Sequence, residues 1–178
     1  MRELVELAKA RPGEIYYAGG SGSLLHLDVE YFKRLAGVDL VQVPYNGSGP
    51  AMAGVLAGDA PVVISPTILV LPHARSGRLR ALAITSAERF AALPDLPTVA
   101  ESGVPGYEAQ QWYGILAPAR TPEAVLDKLN AAFVHAVHTP AFEARLAAEA
   151  SSAVGSTRAA FAQALDAELA KWRRLLKP

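Results

Sequence analysis

The sequence predicts an α/β protein: a mainly parallel sheet with its crossover helices, followed by a part that is helical throughout. Three observations carry this reading. Short apolar segments alternate with helical periods in the first half of the chain, glycine-rich turns stand where the first two of those segments give way to helices, and beyond residue 120 the period is helical. Strands alternating with helices at such short spacing form right-handed βαβ units around a mainly parallel sheet.

Residues 2–10 read as a helix stopped by Pro12-Gly13, and "EIYYAG" reads as a strand running into the turn Gly19-Gly20-Ser21-Gly22-Ser23. Leu24, Leu27, Phe32 and Leu35 mark a helix ended by Gly37. "DLVQVPY" is a second strand, and Gly47 to Gly49 open a second turn into a helix over 50–56, with Pro50 at its start. "PVVISP" then predicts a strand, residues 67–76 a helix and "LRALAITS" another strand. "LPDLPTVAESGVPGYEAQ" is loop-like, with one short helix expected over 98–102. "QQWYGILAP" reads as an aromatic strand, and three helical stretches follow, with Thr121 and either Ser156 or Thr157 as N-caps and Pro122 at N1.

Composition bounds the function. A chain of 178 residues has room for one large domain or two small lobes. Its 17 basic and 17 acidic side chains cancel, so no global field draws it to nucleic acid or an anionic membrane. Any anion must therefore be caught by local geometry. The absence of cysteine removes disulfides, thiolate nucleophiles and thiolate metal sites, and leaves the compartment open. "MRELVELAKARPG" has neither the apolar core and cleavage site of a signal peptide nor the length of a membrane span.

Two constellations could bind an anion. Gly20, Ser21, Gly22 and Ser23 precede a helix, whose first turn has unpaired N–H donors and the positive end of the macrodipole. Tyr45, Asn46, Gly47 and Ser48 repeat the arrangement, adding a directional hydroxyl and an amide. In a parallel sheet both turns fall at the carboxyl edge, where ligands bind. The competing reading of each is an ordinary turn and cap. His26, one turn into the first of these helices, either faces the site or is satisfied within the structure, and Ser65 lies just past a strand end without a "GxSxG" around it. His135 and His138 are three apart with no acidic residue placed to complete a metal site. No nucleophile, base or metal set is visible, and the sequence calls for no enzyme activity and no cofactor.

In sequence and order, "LAKARPGEIYYAG", "GSGSLLHL", "AGVDLVQVPYNGSGPAMAGVLAG", "LRALAITSAERFAALPDLPTVAESGVPGYE" and "QQWYGILAPARTPEAVLDKLNAA" resemble the tripartite tricarboxylate transporter substrate-binding receptors, the Bug or TctC family. The resemblance covers essentially the whole chain. It implies a periplasmic-binding-protein-like lobe over 1–107, lobe two of a Venus-flytrap receptor. It further implies that residues 108–178 hold a crossover segment and helices that would complete lobe one in a full-length member. Function and place follow from it too: an extracytoplasmic receptor, periplasmic by resemblance, taking a mono-, di- or tricarboxylate and passing it to a membrane permease. The ligand set implied is Gly20, Ser21, Gly22, Ser23, His26, Tyr45, Asn46, Gly47, Ser48 and Ser65.

Three departures accompany the resemblance. The family's N-terminal segment is not matched, which leaves a short paralogue, a truncated product or a fragment as readings. Ala18 stands where the family has Ser or Thr, and Ala60 or Pro61 where it has an acid. With the lobe-one strands unmatched, the apolar stripes of the last helices predict a homo-oligomer, with helices exchanged between copies. The alternative to a receptor is an oligomeric interaction scaffold that has lost ligand binding.

Overall fold

The structure, a computed structural model, describes residues 1–175 and divides into two compact units, Met1–Gln111 and the remainder from Trp112. The first unit runs α1 (Arg2–Ala10), β1 (Ile15–Gly19), α2 (Leu24–Ala36), β2 (Leu40–Pro44), α3 (Ser48–Ala57), β3 (Val62–Val63) and α4 (Thr67–Arg75). Its sheet is parallel, in the order β2-β1-β3. Ile15 pairs with Leu40 and Gly19 with Pro44, while Tyr17 and Ala18 pair with Val62 and Val63.

The two-residue period of β1 separates the two sides of the sheet. Ile15 and Tyr17 enter the main core with Val29, Phe32 and Ala36 of α2, together with Val99, Val104 and Tyr107. Ala18 enters a smaller cluster with Ala51 and Ala60. The buried face of α2 is Asp28, Val29, Phe32 and Ala36, one position round from the expected stripe, and Leu35 is exposed. Tyr107 explains the rotation: its ring lies edge-on to Phe32 and its hydroxyl donates to the Asp28 carbonyl at 3.1 Å, so the loop returning across α2 selects the face.

Local signals placed the ends of α2. Ser23 accepts from the His26 N–H at 3.2 Å, and Gly37 adopts φ 64° so that its N–H reaches Lys33. Elsewhere the structure corrects the sequence reading. α3 begins at Ser48 rather than at Pro50. Residues 79–86 form no strand, only an isolated parallel bridge from Ile84 to Thr98. A strand needs a ladder beside it, and an apolar cavity of about 320 Å³ separates this segment from β3. The expected helix at 98–102 is a single hydrogen-bonded turn, closed by reciprocal bonds: Thr98 Oγ1 accepts from the Glu101 N–H at 3.0 Å and Glu101 Oε2 accepts from the Thr98 N–H at 2.8 Å.

The second unit holds α5 (Glu123–Val137), α6 (Pro140–Ala148) and α7 (Arg158–Leu175). "QQWYGILAP" is not a strand, because no described strand lies beside it. Pro122, not Thr121, occupies the N-cap of α5, and the Thr121 hydroxyl donates to the Pro118 carbonyl at 2.8 Å. Of the two candidates before α7, Thr157 is the cap, accepting from the Ala160 N–H at 3.2 Å. Arg158 ties α7 to α5 through Glu123 at 2.6 Å and Asp127 at 2.7 Å. Both α5 and α6 lack a buried residue, so this unit has almost no core of its own.

Candidate functional site

The carboxyl ends of β1 and β2 deliver the chain into two turns, and those turns meet. Gly20 is the meeting point: a Cβ there would stand 3.4 Å from the Tyr45 carbonyl oxygen and 3.6 Å from the Gly47 nitrogen. The Tyr45 N–H extends the ladder by donating to the Gly19 carbonyl at 3.0 Å. Two glycines bend the turns, Gly22 at φ 71° and Gly47 at φ 107°, conformations that side chains other than glycine resist.

The result is an open cleft of about 660 Å³ lined by Gly20, Ser21, Ser23, Pro44, Tyr45, Asn46, Gly47 and Pro50. Among the described residues, no charged side chain lines it. Its positive character comes from backbone alone, since α2 and α3 both begin here and each helix start carries roughly half a positive charge. The start of α3 has no side-chain cap, so the N–H groups of Ser48 and Gly49 lack the intrahelical acceptor that later residues enjoy. The polar groups that remain are the Ser21 hydroxyl and the Asn46 amide.

The other side chains at the cleft hold its shape. Ser23 Oγ donates to the Gly20 carbonyl at 2.7 Å while accepting from His26 N–H, which closes the first turn. Gln42, on β2, donates through Nε2 to the Gly19 carbonyl at 3.1 Å and accepts from the Ser21 hydroxyl at 3.5 Å. The Tyr45 hydroxyl donates to Asp59 Oδ2 at 3.0 Å. Partial burial first, then that bond, raises the phenol above its usual pKa, so it stays protonated.

The structure therefore gathers Gly20, Ser21, Ser23, Tyr45, Asn46 and Gly47 on one cleft, with Gly22 and Ser48 adjoining it in sequence. His26 is not among the lining residues; its Nδ1 lies 3.0 Å from the Tyr17 hydroxyl and its ring stacks on Tyr17. Burial and the nearby Glu30 push the Tyr17 phenol well up. Ser65 stands in the third strand-to-helix connection and lines the separate apolar cavity under β3. Sequence reasoning missed Gln42, although a single polar side chain inside the apolar run "LVQVP" was a usable signal, and it missed Asp59. Among the described residues there is no group of three or more potential metal-ligating side chains, and no helix is long and apolar enough to cross a membrane.

A parallel sheet with two helix starts meeting over an uncharged cleft presents backbone N–H donors that can hold a small anion. The chain belongs to the tripartite tricarboxylate transporter family receptors, whose family model matches residues 1–178. Among its relatives, Protein BugT of Bordetella pertussis is 38% identical over 155 residues, covering 86% of this chain and 48% of BugT. Two solved structures share the fold. R. palustris Rpa4515 with adipate has a TM-score of 0.91 at 32% identity, over 97% of this chain and 58% of that one. MatC (Rpa3494) from Rhodopseudomonas palustris with bound malate has a TM-score of 0.88 at 27% identity, over 99% of this chain and 62% of that one. The chain thus spans about half the length of BugT and little more than half of either solved chain.

Proposed function

We propose that the cleft captures a small organic carboxylate, and that the chain serves as the receptor, or the ligand-holding lobe of one, for a tripartite tricarboxylate-type transporter. In this reading one carboxylate accepts N–H groups at the start of α2 together with the Ser21 hydroxyl. The start of α3 and Asn46 lie beside it. The ligand passes on to a membrane permease, and the setting is periplasmic, as for the family.

The observation that carries the proposal is the convergence of two helix starts on one cleft that no charged side chain lines. Family membership and neighbours solved with adipate and malate support the ligand class. The volume of about 660 Å³ falls in the range of roughly 300–1,000 Å³ usual for small-molecule sites.

Thermal unfolding of the 178-residue chain with millimolar adipate, malate and monocarboxylates tests it. A rise with one acid, lost in Ser21→Asp, is the expected result. No rise with any acid, or a rise that Ser21→Asp leaves intact, would remove the carboxylate from this cleft. The alternative, an interaction scaffold without ligand, is favoured by one feature, the exposed apolar segment Tyr113, Ile115 and Leu116.

A further inference from the structure

The first turn of the cleft rests on a chain of polar side chains that the carboxylate reading leaves unused. Tyr17 is fully buried, and its ring passes so close to Gly19 that a Cβ there would stand 3.1 Å from it. The Gly19 carbonyl accepts from both Gln42 Nε2 and the Tyr45 N–H, so the phenol ring lies against the residue that fastens the two cleft loops together. The Tyr17 hydroxyl reaches α2, where His26 Nδ1 lies 3.0 Å away and Glu30 Oε1 3.4 Å, one turn apart on one helix face. Lys33 continues the chain, with Nζ 3.1 Å from Glu30 Oε1 and 3.6 Å from Asp39 Oδ1 beyond the end of α2. Each of these groups finds its partner within the stretch from Tyr17 to Asp39.

Burial and the neighbouring Glu30 hold the Tyr17 phenol well above its usual pKa, so it keeps its single proton. With Nδ1 of His26 bare, that proton faces two acceptors, the ring nitrogen and the carboxylate, and serves one at the other's expense. With a proton on Nδ1, the ring donates to the phenol oxygen, the phenol donates to Glu30, and both bonds are made. A second ring proton, at Nε2, leaves both bonds intact while turning the imidazole into a cation. Glu30 of α2 faces that cation and Tyr17 of β1 holds it, with Lys33 and Asp39 paired one step further on. The position of the charge decides its effect: His26 stands in the first turn of α2, and its own N–H is the one that Ser23 caps. A cation there opposes the helix macrodipole, and an anion at the same helix start offsets that cost. Proton and anion therefore favour each other, and the coupling is reciprocal.

We infer that His26, held by Tyr17 and Glu30, is a proton-sensing positioning residue of the cleft: on gaining a proton it strengthens the hold of the α2 start on a carboxylate. The inference rests on the carboxylate reading of the cleft. It adds to that reading a charge that none of the lining residues supplies, and one that changes between about pH 5 and 8, the interval in which histidine titrates. His26 touches no ligand in this scheme. It acts through the helix start, and the phenol keeps its ring in place.

The test is calorimetric titration of the full 178-residue chain with malate, adipate and a monocarboxylate at about pH 6 and about pH 8, a range over which simple carboxylates stay largely ionised. For the acid that binds, affinity should be several-fold higher at the lower pH in the wild-type chain and nearly independent of pH in His26→Gln, which keeps the capped N–H but cannot take the charge. Tyr17→Phe keeps a ring beside Gly19 and loses the hydroxyl, and should shrink the pH dependence. Without ligand, the amide resonances of Ser21 to Leu24 should titrate together with the His26 ring and cease to do so in His26→Gln. Equal pH dependence of affinity in the wild-type chain and His26→Gln, or free-chain amides that ignore the ring, would overturn the inference and leave the carboxylate reading standing. Absence of binding by every acid at both pH values would overturn that reading, and the inference with it.

Discussion

Tyr45 and Asp59 bracket α3: the Tyr45 phenol, entering from the turn before the helix, donates to Asp59 Oδ2 at 3.0 Å just beyond the helix's end. The ring must pass over Gly54 to reach it, and a Cβ on Gly54 would collide with the Tyr45 ring and hydroxyl. The loop that forms one wall of the cleft is thereby fastened to the helix it opens.

That relationship makes Gly54 a sensitive position. Alanine has the better helix propensity by about 1 kcal/mol, yet overpacking a tight contact typically costs 1–3 kcal/mol, so Gly54→Ala is expected to destabilise. Urea unfolding checks the sign. A more stable Gly54→Ala protein would show that the Tyr45 ring moves aside freely.

Two serines separated by one glycine should behave differently. Ser23 caps α2, and Ser23→Ala is expected to cost about 1 kcal/mol of stability in denaturant unfolding. Among the described residues the Ser21 side chain bonds only to Gln42, at 3.5 Å and in exposed surroundings, so Ser21→Ala should leave unfolding nearly unchanged while weakening carboxylate binding. Equal stability losses at both positions would contradict this division.

Gln42→Leu removes the donor to Gly19 and the acceptor for Ser21 together. A neutral hydrogen bond contributes roughly 0.5–1.5 kcal/mol net, and the expected stability loss lies in that range. The same variant should raise carboxylate affinity, because the single proton of the Ser21 hydroxyl is no longer held by Gln42 and is free to donate to the ligand. Unchanged affinity by calorimetric titration would leave Gln42 a purely structural role.

Glu101 gives a pH prediction. The Thr98 N–H, and after it Arg89 at 2.9 Å, hold its carboxyl below the usual carboxylate range. A group with a depressed folded pKa contributes stability fully above its unfolded value, about 4.3, and loses that contribution as the pH falls through the folded value. Stability should therefore decline on acidification below about pH 4.3, and part of that decline should vanish in Glu101→Gln. Superimposable pH profiles for the two proteins would show that other carboxylates carry the effect.

What was readable in the sequence was what local chemistry decides. Gly37 and Ser23 fix the ends of α2 within one turn of themselves, and the alternation of strands and helices up to residue 75 follows from local period. Residues 79–86 and 110–118 have strand composition, but a strand is defined by its neighbour, and the composition of one segment carries no information about an absent partner. The side chains at the cleft divide in the same way. The glycines and Ser21 announced themselves in sequence. The engagement of His26 with Tyr17, and of Gln42 with the first turn, came from sheet register and helix orientation.

The central claim is that backbone N–H groups at two helix starts hold a carboxylate, and amide chemical shifts report on those groups directly. Titrating the isotope-labelled chain with adipate or malate should move the amide resonances of Ser21 to Leu24 and of Gly47 to Gly49 together, saturably and with one dissociation constant. Shifts confined to other parts of the chain, or none at millimolar ligand, would contradict the account.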